Sequence, residues 1–270
     1  MAELNVPQRT LYDIRDGETY RVRKLADGNV WMTENLRLTL TEGEAIEISD
    51  GSMWLPTNYD GTTTNSTTLT ISDYDILPSV WSTTSNTQSD IEIVRSFSTK
   101  DMAGQYKCNG TVKTRGTNLC YETINTADGE SQRVGTFYNI YTLTAGQRKV
   151  ESTDIATVSI CPRNWVIPSI DTNTAVSYGG LINNAYGLTY GKSGDGTKAR
   201  SFPLSFIVSG YYITDTGASV FNQNGLARYY TSTPNGISQF TFDVQSTTIN
   251  RTSGERARMG LPVRCAISGL

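Results

Sequence analysis

The chain has 270 residues, a formal net charge of −3 and 37% hydrophobic content, enough for a sizeable core. No run approaches the roughly 18 apolar residues of a membrane span, and the interleaved charges give no basic field to hold nucleic acid. The sequence contains no histidine, which removes the usual general base of Ser/His/Asp and Cys/His hydrolases and the commonest zinc ligand. It also lacks a Gly-rich phosphate loop, a G-x-S-x-G elbow and a CxxC pair. The chain therefore reads as a non-enzyme without cofactor or metal, with partners to be sought among proteins and glycans.

The N-terminal MAELNVPQRT has no basic-then-apolar leader, so an extracellular or cell-surface location implies that a leader or anchor has been removed. ETYRVRKL (18–25) alternates polar and apolar residues, Asp27-Gly28 is a turn signal, and NVWMTENL (29–36) follows as the second arm of a β-hairpin. From 41 to 100 the chain turns Thr/Ser/Asn-rich around isolated aromatics such as Trp54, Tyr59, Tyr74 and Trp81. That stretch reads as an insertion within one domain spanning 1–270. Sequons at Asn65, Asn109 and Asn250 mark surface positions.

Two short helices are expected next. One lies within Gly135–Gln147, where Phe137, Ile140, Tyr141 and Thr144 fall at helical spacing and Gly146 is a stop. The other starts from a Ser169 cap after Pro168, runs through Asp171, Thr172 and Val176, and closes at Gly179-Gly180. Beyond Phe202 the pattern becomes that of strands. LSFIVSGYY, LARYYTST, SQFTFDV and LPVRCAI are separated by the turn-rich segments TDTGA, PNG and RTSGE.

The four cysteines, Cys108, Cys120, Cys161 and Cys265, allow three pairings and lack the close doublets of zinc sites. CNGTVKTRGTNLC is short and polar, so a Cys108–Cys120 staple leaves Cys161 to meet Cys265. Four reduced, buried thiols in a reducing compartment are the alternative.

RDGETYRVRKLADGNVWMTENL, GTFYNIYT, CPRNWVIPS, ARYYTSTPNG and GLPVRCAI, in that order, resemble the signature blocks of the Fibrobacter succinogenes major paralogous domain over nearly the whole chain. The resemblance implies an α+β, C-type-lectin-like or formylglycine-generating-enzyme-like fold, with closing strands similar to those of retroelement-diversified variable proteins. It also implies a secreted or surface-anchored bacterial domain in which the terminal strands pair and a Cys161–Cys265 cystine ties the tail to the body. Trp165 and Ile167 are then core residues and Pro168 sets the start of the second helix. The chain departs from the family where Asn164 replaces a glycine and Val166 a histidine, and where Tyr229-Tyr230-Thr231-Ser232-Thr233 replaces Tyr-Trp-Ser-Ser-Thr. Thr233-Pro234-Asn235 is the nearest approach to a lectin calcium signature, and no Trp-Asn-Asp follows it.

Tyr, Asn, Ser and Gly crowd the stretch from Tyr211 to Arg258, a mixture that supplies rigid amphipathic contacts and adaptable hydrogen bonds. The candidate ligand-binding residues are Tyr211, Tyr212, Asn222, Asn224, Tyr230, Asn235, Gln239, Asn250 and Arg251, although these residue types also serve cores and turns. The expected function is an adhesin-like protein that presents a C-terminal loop face, of the kind retroelements diversify, to protein or glycan on another cell. The alternative is a structural head domain of a pilus-like or envelope assembly.

Overall fold

A computed structural model describes residues 7–41, 44–54, 105–107, 120–145, 157–213, 219–235, 238–256 and 259–269. Most of the expected 41–100 insertion lies outside them, as does Cys108.

The described chain is α+β with mostly antiparallel strands in small sheets. The expected hairpin forms from β2 (Thr19–Lys24) and β3 (Val30–Met32). Alternation buries Tyr20 and Val22 of β2, and Gly28 supplies the turn with a φ of 83°. The Asp27 carboxylate fixes that turn by accepting the Asn29 backbone N–H at 3.1 Å and the Trp31 indole N–H at 2.9 Å. β1 (Arg9–Tyr12) flanks the hairpin on one side and the closing strand β15 (Ala266–Ile267) on the other, giving a sheet of order β1-β2-β3-β15. The two ends of the described chain therefore share one sheet. Two-stranded ribbons follow: β4 (Ile46–Glu47) with β5 (Met53–Trp54), β6 (Gln105–Lys107) with β9 (Thr136–Tyr138), and β7 (Thr123–Asn125) with β8 (Ser131–Arg133).

The first expected helix shrinks to α1 (Ile140–Leu143), because Thr136–Tyr138 is claimed as a strand by β6 and by Leu261. Asn139 caps α1 by accepting the Thr142 N–H at 2.9 Å. The second expected helix is displaced. Ser169 starts no helix; its backbone closes a loop by bonding Val176 O and Tyr178 N. Ser177 is the residue that caps, its Oγ accepting the Gly180 N–H at 2.9 Å, and the π-helical α2 (Gly180–Ala185) follows. Gly179 and Gly180 thus sit where a stop was expected, for a different reason. A Cβ on Gly179 would lie 2.6 Å from Ile170 O, so the glycine lets the start of the helix press against the preceding loop. An unexpected third helix, α3 (Asp195–Arg200), places Gly194 and Gly196 N–H groups on Thr247 O.

LSFIVSGYY yields only β10 (Tyr211–Ile213), paired with β11 (Ser219–Phe221). The preceding residues need no strand partner, because the buried Arg264 guanidinium takes Leu204 O at 2.7 Å and Ser205 O at 2.6 Å, and Tyr229 Oη donates to Ile207 O at 2.9 Å. The last sheet is β12 (Leu226–Asn235), β13 (Ser238–Gln245) and β14 (Ile249–Arg256). RTSGE, expected as a turn, is strand in β14, since β13 supplies its ladder partners from Gln239 to Phe242.

Cys161 and Cys265 form a disulfide with Cα atoms 5.9 Å apart across 104 residues of chain. Cys120, the described end of the other expected bridge, is buried and disulfide-bonded. Trp165 and Ile167 are core residues, as expected, and flank the exposed Val166. No described helix is long and apolar enough to cross a membrane.

Closing a loop of this length restricts the unfolded chain strongly, so the Cys161→Ser/Cys265→Ser variant is expected to lose roughly 2–5 kcal/mol. Urea midpoints of the variant and the parent, both oxidised, measure the loss. Equal midpoints would remove the bridge from the account of stability.

Candidate functional site

The sheet β12-β13-β14 separates the candidate residues onto two faces. Toward the core, Ala227, Tyr229, Phe242, Val244 and Ile249 are fully buried. Tyr178 stacks on Phe242 at 4.7 Å, and Phe206 meets both Phe242 and Tyr229 edge-on at 5.2 Å. Arg264 lies 4.2 Å from the Phe206 ring, and desolvation lowers its pKa. Among the described residues it makes no ion pair. Its charge is held by backbone carbonyls, Asn35 Oδ1 and aromatic faces.

The opposite face is polar. Register aligns Arg228, Asp243 and Asn250 in one cross-strand row, and Tyr230, Thr241 and Thr252 in the next. The Asp243 carboxylate accepts the Thr241 hydroxyl on Oδ1 and the Thr252 hydroxyl on Oδ2, each at 2.7 Å, with Arg228 Nε 3.7 Å from Oδ2. Arg228 also lies over the Tyr211 ring at 4.6 Å, and Tyr211 stacks on Phe221 at 6.0 Å. Both faces are legible in SQFTFDV, where Phe240, Phe242 and Val244 alternate with Thr241 and Asp243. Composition reasoning passed over Arg228, Thr241, Asp243 and Thr252 because it counted residue types and not strand parity.

The structure brings Tyr211, Tyr230 and Asn250 to this polar face but gives them different work. Tyr211 and Asn250 are half-buried. Tyr230 is fully buried, its hydroxyl donating to Met259 O at 2.7 Å, and Tyr212 is 5% exposed and exchanges backbone bonds with Gly260. Those two tyrosines hold the closing segment in place. Asn222 and Asn224 are exposed at the β11–β12 turn, where φ values of 55° and 66° call for residues that tolerate the left-handed region. Asn235 is half-buried at the far end of β12, roughly 30 Å away by strand rise. Gln239 pairs there with Pro234 and Glu255, and its side chain lies outside the described residues. Arg251 turns to the core-side face, exposed and 4.3 Å from the Phe240 ring.

Between Tyr230 and Pro234 the register shifts, and β12 leaves the ladder to bond another segment. Ser232 N–H donates to Pro168 O at 2.9 Å, and Thr233 Oγ1 accepts the Ile170 N–H at 3.0 Å. CPRNWVIPS is thereby tied to the site's sheet as well as to the tail. Among the described residues no group of three or more His, Cys, Asp and Glu side chains could hold a metal. The chemistry on offer is hydrogen bonding by a guanidinium, an amide and a phenol above a fixed carboxylate. Searches against protein-family models, curated proteins and solved structures found no match.

Burial raises the Asp243 pKa against the lowering effect of its two threonine donors and Arg228. The folded state then holds this proton more tightly than the unfolded chain, whose carboxylate titrates near 3.9. Stability contributed by protonation is present at low pH and lost as pH rises through the folded value. The stability of the parent relative to Asp243→Asn should therefore climb as pH falls from 7 toward 4. Urea denaturation at stepped pH reads the difference, and a flat or falling curve would contradict the burial cost.

Proposed function

We propose that the chain is a surface-displayed ligand-binding protein on a C-type-lectin-like frame of the Fibrobacter paralogous-domain type, and that the polar face of β12-β13-β14 contacts a protein or glycan on another cell. The observation that carries this reading is the row Arg228, Asp243 and Asn250, with the Tyr211 ring against Arg228. Its partly exposed groups stand on a carboxylate fixed by two hydroxyls, and the buried Tyr230 anchors the next row. Rigid elements beneath adaptable polar groups limit the ordering cost of binding. The Cys161–Cys265 disulfide suits an oxidising, extracellular setting.

Exposed Tyr12, Ile14 and Met53 favour a second reading, a structural head whose apolar surface packs on neighbouring subunits. Labelled protein applied to arrays of immobilised glycans and cell-surface proteins tests the first. Arg228→Ala/Asn250→Ala should weaken the retained interaction at least tenfold, whereas Arg133→Ala, on an exposed ribbon, should not. Equal binding by the parent and both variants would remove the polar face from the reading. Concentration-dependent oligomers in sedimentation, abolished by Ile14→Ser, would favour the second.

A further inference from the structure

A cleft of about 320 Å³ opens between the β2–β3 turn, the loop 170–176 and α2. It lies apart from the polar sheet face, and its polar lining comes from Asp27, Asn29, Thr174, Ser177 and Asn184. The hairpin side is pre-organised. Asp27 Oδ2 accepts both the Trp31 indole N–H and the Asn29 amide at 2.9 Å, while Oδ1 accepts the Asn29 backbone N–H at 3.1 Å. The same Asn29 amide donates to Ala175 O at 2.8 Å, and its oxygen accepts the Gly269 N–H at 3.1 Å, fastening turn, loop and tail around the cleft.

An ionised carboxylate has about four acceptor sites, so the three donors on Asp27 leave one on Oδ1. Ser177 lines the cleft but is only 1% exposed, and its Oγ accepts the Gly180 N–H. Asn184 is exposed and keeps both halves of its amide. Donors and acceptors thus converge in a space whose remaining walls are alanine and glycine, small enough to let a ring approach the backbone. No lysine or arginine lines the cleft, and its one charge is negative, which disfavours anionic ligands. A second groove of about 410 Å³, bearing Val158, Val166 and Val176, shares the Thr174–Ala175 wall. A ligand crossing that wall meets hydrogen-bonding groups first and apolar surface next, matching the hydroxyl edge and C–H face of a sugar. The π-helical form of α2 is itself one that recurs at functional sites.

We propose that this cleft binds a neutral oligosaccharide through Asp27 and Asn184. Its size sits at the lower end for ligand pockets and suits one or two sugar rings. The full chain is applied to a printed array of neutral, sialylated and sulfated glycans, and the best-retained neutral oligosaccharide is then titrated by calorimetry. Asn184→Ala is expected to weaken binding at least tenfold and Asn184→Trp to abolish it. Both changes fall at an exposed position, and circular dichroism checks the fold. Retention of acidic glycans alone, retention of no glycan, or undiminished binding by Asn184→Trp would overturn the proposal. Titrating Arg228→Ala/Asn250→Ala tells the two sites apart: neutral-glycan binding lost there but kept in Asn184→Trp belongs to the sheet face and overturns the cleft.

Discussion

The closing segment Gly260–Ile267 is the constraint on which the rest of this structure depends. Its carbonyls accept from Tyr212, Tyr138, Tyr230, Leu36, Met32 and Val166, residues drawn from the N-terminal hairpin and the stretch after it, the central ribbon, the Cys161–Ser169 loop, β10 and the C-terminal sheet. Arg264 reaches past them to the Leu204–Ser205 carbonyls, and Cys265 adds a covalent tie to Cys161. A buried backbone group without a partner is costly, and here several segments satisfy that requirement through one shared stretch. The two hydrophobic clusters meet along it as well, with Leu261, Val263 and Cys265 packed in one and Ala266 in the other.

This arrangement explains how a chain of short strands holds the polar face of its three-stranded sheet firm. Two-stranded ribbons are marginal alone, and most of the sheets here are of that size. Tyr212 and Tyr230 connect the tail to the strands beneath the polar face, so the groups above them rest on the segment that links the whole molecule. Asn29 extends the same logic to the cleft by accepting from Gly269, just beyond the closing strand.

Where period and turn chemistry agreed, the sequence was readable. ETYRVRKL, Asp27-Gly28 and the strand positions of SQFTFDV stand where alternation puts them. It misled where a residue served a long-range partner. Gly179 resembles a helix stop, but its lack of a Cβ admits Ile170 O. LSFIVSGYY has strand composition, yet Arg264 and Tyr229 satisfy its backbone from other segments, so only its end pairs. RTSGE looks like a turn because it is polar throughout and contains Ser253-Gly254, a composition that an edge strand also tolerates. At the candidate site, composition pointed to the segment that forms β10 to β14, while the charged row of Arg228 and Asp243 required register, which one sequence does not contain.

Native-state hydrogen exchange tests the central role of the closing segment most directly. If Gly260–Ile267 joins the fold into one cooperative unit, the amides of Met32, Leu36, Tyr138 and Val166 exchange only through global opening. Their protection then equals that of the slowest amides of the three-stranded sheet. Exchange of these amides through a local opening, several kcal/mol below the global value and with the sheet still protected, would show that the tail is an appendage and contradict the account.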